Sequence, residues 1–177
     1  MLEQFYPDET ARSTYDIDFR KIYEDGIRGI IFDIDNTLVP HGAPADERAI
    51  RFFENLKKIG FKCCLVSNNQ KARVEMFNKD IHVYTLENAH KPSRKAYRRA
   101  MHLMGTNTAS TISVGDQIFT DIWGANRAGL RTILVGQIAK KEEIQIVLKR
   151  YLEKIVLFFY HKKIEKQERR QYEPHND

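Results

Sequence analysis

Two aspartates two positions apart, Asp33 and Asp35, close an apolar run and are followed by Thr37 in the segment GIIFDIDNTLV, Gly29 to Val39. Ile30, Ile31, Phe32 and Ile34 read as a buried strand. Burying an ionised carboxylate is costly unless it is paired or holds a metal. Carboxylates at the end of such a strand therefore point to a cation site with chemistry attached. Other polar residues share that placement. Ser67 and Asn68 follow the apolar run Phe61–Val66, Lys91 precedes a helical stretch, and Asp116 follows Thr111–Gly115, with Asp121 one turn further on.

The elements that must position these residues alternate in type. The spacing predicts helices over Phe19–Asp25, Ala49–Gly60 (with Ile50, Phe53, Leu56 and Ile59 on one side), Lys71–Asn78, a stretch opening at Pro92 and reaching Met104, and Phe119–Ala128. Strands are expected at Gly29 onward, Phe61–Val66, Ile81–Thr85, Thr111–Gly115 and Arg131–Gly136. Strands alternating with helices predict an α/β fold, a doubly wound parallel sheet covered on both faces. In such a sheet the carboxyl ends of the strands form the ligand crevice, where all the polar residues named above would gather.

At 177 residues with 42% hydrophobic and 30% charged residues, the composition is that of one globular domain. The opening, MLEQFYPDET, has neither the basic nor the apolar region of a secretory signal, which implies a cytoplasmic protein. Cys63 and Cys64 are adjacent on a strand and point to opposite faces, so they read as core residues in a reducing compartment. The histidines show no paired ligand spacing, which disfavours zinc. His41, in the loop after the first motif, reads as a solvated loop residue. The net charge of +5 is concentrated beyond Lys140 and in Lys91, Arg94, Lys95, Arg98 and Arg99. That second group reads as a solvated helix face or as an attraction for an anionic substrate.

Four motifs in order resemble the haloacid dehalogenase (HAD) superfamily of phosphohydrolases: DIDNT from Asp33 to Thr37, LVSNN with Ser67, HKPS with Lys91, and GDQIFTD with Asp116 and Asp121. A second Asp-x-Asp, at Asp16 and Asp18, lacks the preceding strand and the threonine. The resemblance covers about Gly29 to Val135. It implies that Asp33 is the nucleophile and forms an aspartyl-phosphate, with Asp35 as general acid and base. It implies Mg²⁺ held by Asp33, Asp35 through its backbone carbonyl, Asp116 and Asp121. Thr37, Ser67, Asn68 and Lys91 would bind the phosphoryl group. The intervals from Thr37 to Ser67 and from Ser67 to Lys91 are too short for a cap domain. The uncapped plan, the approach GIRGIIFDIDNTLV and HKPS most resemble the uncapped subclass IIIA members called YqeG-type, which are similar to phosphatidylglycerophosphate phosphatases. That implies a phosphorylated lipid or small molecule as substrate.

Beyond the phosphatase region, residues 1–140, the pattern predicts an amphipathic helix over 141–163. Ile144, Val147, Leu148, Tyr151, Leu152, Ile155, Val156 and Phe159 form its stripe. Its longest apolar run is far short of the ~20 residues that span a bilayer. It is expected to lie on the inner face of a membrane, to dock on the domain, or to pair with a second copy. The tail, 164–177, is expected to fray. Other readings stay open: a phosphatase of nucleotides or nucleic-acid ends, a phosphotransferase that passes the aspartyl-phosphate group to an alcohol instead of water, and an RNA-binding module. The module is disfavoured because the chain lacks a basic, aromatic-interleaved platform.

Overall fold

The computed structural model describes residues 2–139 and 144–172, the side chains of 144–151, 167 and 169–172 excepted. Six strands, all parallel, form one sheet: β1 (Glu9–Ala11), β2 (Gly29–Phe32), β3 (Lys62–Val66), β4 (Tyr84–Leu86), β5 (Thr111–Gly115) and β6 (Arg131–Val135), in the order β1-β6-β5-β2-β3-β4. The helices are α1 (Phe19–Glu24), α2 (Glu47–Ile59), α3 (Lys71–Asn78), α4 (Arg94–Met104), α5 (Trp123–Ala128) and α6 (Ile144–Tyr172).

Alternation along the strands sorts side chains between the two faces. Ile30, Phe32, Cys63 and Leu65 join Phe19 and Ile22 of α1, Phe53 and Leu56 of α2 and Val74 and Phe77 of α3 on one side. Ile31, Cys64 and Val66 pack with Tyr97, Ala100 and Met104 of α4 and Ala125 of α5 on the other. The two cysteines are buried, free and on opposite faces, as their adjacency requires. The chain builds outward from β2 through β3 to β4, then returns to lay β5 on the far side of β2. The reversal lies between β2 and β5, whose carboxyl ends carry Asp33 and Asp116.

Several elements differ from the expectations. Strand β1 carries no apolar periodicity because its residues, Glu-Thr-Ala, sit at the sheet edge and are largely exposed. Strand β4 is shorter and later than Ile81–Thr85, because Asn78 bonds both the N–H and the carbonyl of Val83 and holds that approach in a turn. Pro92 lies outside its helix: α4 starts at Arg94, with the Ser93 hydroxyl accepting from the Lys95 N–H. The stretch from Phe119 divides into a π-helical turn, Ile118–Ile122, and α5. In α2, Ala49, Phe53 and Leu56 are buried, while Ile50 and Ile59 lie at the margin of that face. Asp16 and Asp18, the second Asp-x-Asp, belong to a 3₁₀ turn and to the N-cap of α1, where Asp18 accepts from the Lys21 N–H.

Helix α6 continues to Tyr172, past the Lys163 at which fraying was expected. The added segment is rich in Glu, Lys, Arg and Gln, which favour helix where no packing decides. Glu153 and Val156 of α6 are buried, whereas Leu152, Ile155, Phe158 and Phe159 are exposed. Glu153 Oε1 accepts from the Ile118 N–H (3.0 Å), and the Tyr160 ring meets Tyr6 edge-on (5.5 Å between centroids). The stripe residues Ile144, Val147, Leu148 and Tyr151 fall outside the described side chains, and 173–177 outside the described chain. No helix among the described residues is long and apolar enough to cross a membrane.

Candidate active site

Strand β2 delivers Asp33 to the sheet's carboxyl edge, its N–H still donating to the Val114 carbonyl at 3.1 Å. The chain then turns through Asn36, at φ 64°, in a loop tied by the Leu38 N–H to the Ile34 carbonyl (2.9 Å) and by Asn36 N–H to the Val39 carbonyl (2.7 Å). This turn swings Thr37 back over Asp33. The Thr37 hydroxyl lies 3.2 Å from Asp33 Oδ2 and 3.2 Å from Asp116 Oδ1, which links the loops after β2 and β5. The Thr14 hydroxyl fixes the loop from below by donating to the Thr37 carbonyl.

Lys91 is the centre of charge. Its Nζ donates to Asp33 Oδ1 at 2.6 Å and to Asp121 Oδ1 at 2.7 Å, and its side chain is only 4% exposed. Burial works against its charge, but Asp121 and Asp33 outweigh that and hold the ammonium well above its usual range. Burial also pushes the Asp33 carboxyl up to about 6; Lys91 opposes the shift, and Asp121 and Asp35 add to it. Of the five basic residues around α4, only Lys91 turns inward; Arg94, Lys95, Arg98 and Arg99 are exposed.

Asp121 is set by the π-helical turn. Its Oδ2 accepts from the Gln117 N–H (3.0 Å), and the Tyr97 hydroxyl donates to the carbonyls of Thr120 and Asp121. The turn presses on β5 so closely that a Cβ at Gly115 would overlap the Asp121 side chain. Only a residue without one fits there. Asp116 is held on its other oxygen by the Gln137 amide at 2.8 Å. Asp33, Asp116 and Asp121 each offer a carboxylate oxygen, and these atoms lie within 4.8 Å of one another. Hard oxygen donors so grouped suit a divalent cation such as Mg²⁺.

The Asp35 side chain is not part of that group of acids and has partners of its own. Its Oδ1 accepts from the Gly42 N–H (2.8 Å) and from Arg73 Nη2 (2.8 Å), and its Oδ2 from Asn69 Nδ2 (2.5 Å). His41 Nδ1 lies 3.9 Å from Oδ1, and the imidazole stands at the mouth with 60% of its side chain exposed. Ser67 is buried, its N–H donating to the Leu86 carbonyl and its hydroxyl accepting from the Asn69 N–H. The Asn68 side chain is engaged with the Lys91 backbone: its Oδ1 accepts from the Lys91 N–H at 2.6 Å and its Nδ2 donates to the Lys91 carbonyl at 3.2 Å. It positions the lysine from the loop after β3.

Asp33, Asp35, Thr37, Ser67, Asn68, Lys91, Asp116 and Asp121 therefore meet at one end of the sheet. Asp33, Asp35, Ser67, Asn68 and Lys91 line a crevice of about 150 Å³, with Thr37, Asp116 and Asp121 on its floor side. Asn69, Arg73, Tyr97 and Gln137 are the partners that sequence reasoning misses. Asn69 lies inside the motif LVSNN, but Arg73 and Gln137 carry no spacing signal, because their partners are 38 and 21 residues away. Between Thr37 and Ser67 the chain holds only α2 and β3, and between Ser67 and Lys91 only α3 and β4, so neither interval places a cap over the crevice.

Known proteins resemble the chain in sequence and in fold. Residues 88–147 match the family described as HAD-hydrolase-like. The chain is 37% identical over 159 residues to the probable phosphatase YqeG of Bacillus subtilis (strain 168), covering 89% of this chain and 92% of that one. It is 30% identical over 142 residues to a chloroplastic/mitochondrial phosphatidylglycerophosphate phosphatase 1 of Arabidopsis thaliana, 74% of this chain but only 40% of that protein. Two deoxy-mannose-octulosonate 8-phosphate phosphatases share the fold. The cobalt-bound structure from Haemophilus influenzae has a TM-score of 0.51 at 14% identity, covering 63% of this chain and 69% of that one. The Moraxella catarrhalis structure, in complex with magnesium, phosphate and sugar, has a TM-score of 0.50 at 15% identity, covering 64% and 72%. On this sheet, this set of acids around one lysine, and this identity to the probable phosphatase YqeG over nearly the full length of both chains, the protein belongs to the haloacid dehalogenase superfamily, among its YqeG-like phosphatases.

Proposed function

We propose that the chain is a Mg²⁺-dependent phosphomonoester hydrolase that works through an aspartyl-phosphate on Asp33 and acts on phosphatidylglycerophosphate. The observation that carries the chemistry is the cluster in which Lys91 bridges Asp33 and Asp121 while Thr37 bridges Asp33 and Asp116. An Asp33 oxygen attacks phosphorus, and the phosphorus–oxygen bond to the leaving alcohol breaks. Asp35, entering this step protonated, gives its proton to the departing oxygen. Asp35 then takes a proton from water, whose oxygen attacks phosphorus. The bond to Asp33 breaks, releasing inorganic phosphate and restoring both carboxyl groups. Lys91 and the Ser67 and Thr37 hydroxyls hold the phosphoryl oxygens throughout. Asp33, Asp116, Asp121 and the Asp35 carbonyl would hold Mg²⁺, which when bound neutralises charge on the phosphoryl group.

Cation binding has a readout apart from turnover. Mg²⁺ at about 100 times its dissociation constant is expected to stabilise the folded chain by about 2.7 kcal/mol, a rise in Tm of roughly 5–10 °C for a chain of this size. Differential scanning calorimetry of the parent and of Asp116→Asn measures it. A variant that responds as fully as the parent would remove Asp116 from the ligand set.

Three features support the lipid substrate: the likeness to a phosphatidylglycerophosphate phosphatase, the uncapped crevice, and the exposed Leu152, Ile155, Phe158 and Phe159 on α6 with Lys154 and Lys162 beside them. An apolar surface ringed by cations suits the cytoplasmic face of an anionic membrane. Phosphate release from phosphatidylglycerophosphate in mixed micelles, against glycerol phosphate in solution and with Asp33→Asn as background, tests the reading. The lipid is expected to be preferred by kcat/KM. Equal rates on both would leave a phosphatase without the lipid specificity.

A further inference from the structure

Asp35 must present one oxygen to the leaving alcohol, and a carboxylate rotates readily about its last torsion. Its two oxygens have different surroundings. Oδ2 lies beside Asn69, which with Asp35 lines the crevice. Oδ1 is held from two directions by Arg73 Nη2 of α3 and the Gly42 N–H, with His41 Nδ1 further off at 3.9 Å.

Arg73 is unusual in its own right. Its side chain is 13% exposed, and its Nε and Nη1 are buried with no hydrogen-bond partner. The guanidinium carbon lies 5.9 Å from the Phe77 ring centroid, a weak contact for a cation. Asp35 is its ion-pair partner among the described residues. A guanidinium withdrawn from water needs an anion beside it, so Arg73 has little freedom to leave Oδ1. Arg73 does not line the crevice, which separates it from the groups that would touch substrate.

We infer that Arg73 is a positioning residue for the phosphatase reaction: by anchoring Asp35 Oδ1 together with the Gly42 N–H, it fixes Oδ2 as the oxygen that exchanges its proton with the leaving group. The inference rests on the proposed role of Asp35 as acid and base. In the step concerned, the Asp33–phosphorus bond forms, the bond from phosphorus to the ester oxygen breaks, and the proton on Asp35 Oδ2 passes to that oxygen. An aryl phosphate whose phenol is acidic leaves without much need of that proton; an alkyl phosphate depends on it. Loss of correct aim should therefore fall selectively on the alkyl ester.

The test compares the parent, Arg73→Gln, Arg73→Lys and Asp35→Asn on p-nitrophenyl phosphate and on glycerol phosphate with Mg²⁺. General acid–base catalysis contributes roughly 10²–10⁴-fold. Arg73→Gln is expected to lower kcat about 10²-fold on glycerol phosphate and less than about 10-fold on the aryl ester, with KM little changed. Arg73→Lys keeps the charge but not the planar fork and should fall between Gln and the parent. If Arg73→Gln does not fold, as judged by circular dichroism, the lysine variant carries the same comparison. Equal losses on both esters would make Arg73 merely structural, and a raised KM at unchanged kcat would make it a substrate ligand; either overturns the inference. If Asp35→Asn itself shows no leaving-group selectivity, the acid–base reading of Asp35 fails, and the role of Arg73 with it.

Discussion

Asp33→Asn is expected to reduce turnover of any phosphate monoester by about 10⁴-fold or more, the scale on which removal of a nucleophile acts, while making the metal-free protein more stable at neutral pH. The two effects have one cause. Burial, with Asp121 and Asp35 close by, lifts the Asp33 carboxyl to about 6 although Lys91 opposes the shift. The folded state therefore holds a proton that the unfolded chain releases near the ordinary value of 3.8. Where the folded state binds more protons than the unfolded one, stability falls as pH rises. The parent's Asp33 thus loses stabilisation between pH 3.8 and about 6, and an asparagine, which never ionises, does not. The advantage of the variant should be absent below this window and complete above it. Urea unfolding of both proteins without divalent cation, from acid to neutral pH, checks the sign. A variant less stable than the parent at neutral pH would mean that the contact with Lys91 outweighs the cost of burying the anion.

Lys91→Met should produce the second large effect, this time on stability and turnover in the same direction. The ammonium contacts Asp33 and Asp121 inside the protein, and the methionine would leave both carboxylates without it. Removing one partner of a buried ion pair costs about 3–5 kcal/mol, or a Tm lower by roughly 10 °C in a chain of this size. The loss of a positioned cation at the phosphoryl group adds about 10²–10³-fold in kcat. Adding Asp121→Asn to Lys91→Met should recover part of the stability, since one uncompensated charge disappears, but no activity. A double-mutant cycle followed by chemical unfolding measures the coupling. A single variant as stable as the parent would show that the acids find other compensation.

Most of this site is legible in the amino-acid sequence, for a reason that particular residues make plain. Asp33 and Ser67 each follow a strand whose burial is written in consecutive apolar residues, Asp116 follows the β-branched stretch Thr111–Gly115, and parallel strands bring their ends together. Lys91 is legible only through its motif. As part of a basic run it looks like a surface group, and its inward turn depends on Asn68 gripping its backbone from another loop. Strand β1 escapes notice because an edge strand needs no apolar face, and the extent of α6 because its last turns consist of charged helix formers. Arg73 and Gln137 belong to segments whose own patterns give no sign of a distant partner; their bonds to Asp35 and Asp116 exist only in the assembled fold.

The bond from the Ile118 N–H to Glu153 joins the last helix to the π-helical turn that carries Asp121 and follows Asp116. A handle has thereby been fitted to the floor of the crevice. Whatever grips α6 from outside, whether a lipid leaflet or a fusion partner engineered onto the C-terminus, tugs on a backbone two residues from Asp116. Trimming the chain ahead of Ile144 would accordingly confound two measurements, of surface attachment and of intrinsic turnover. Charge substitutions at the outward-facing Leu152 or Phe158 leave that tether intact and keep the two apart.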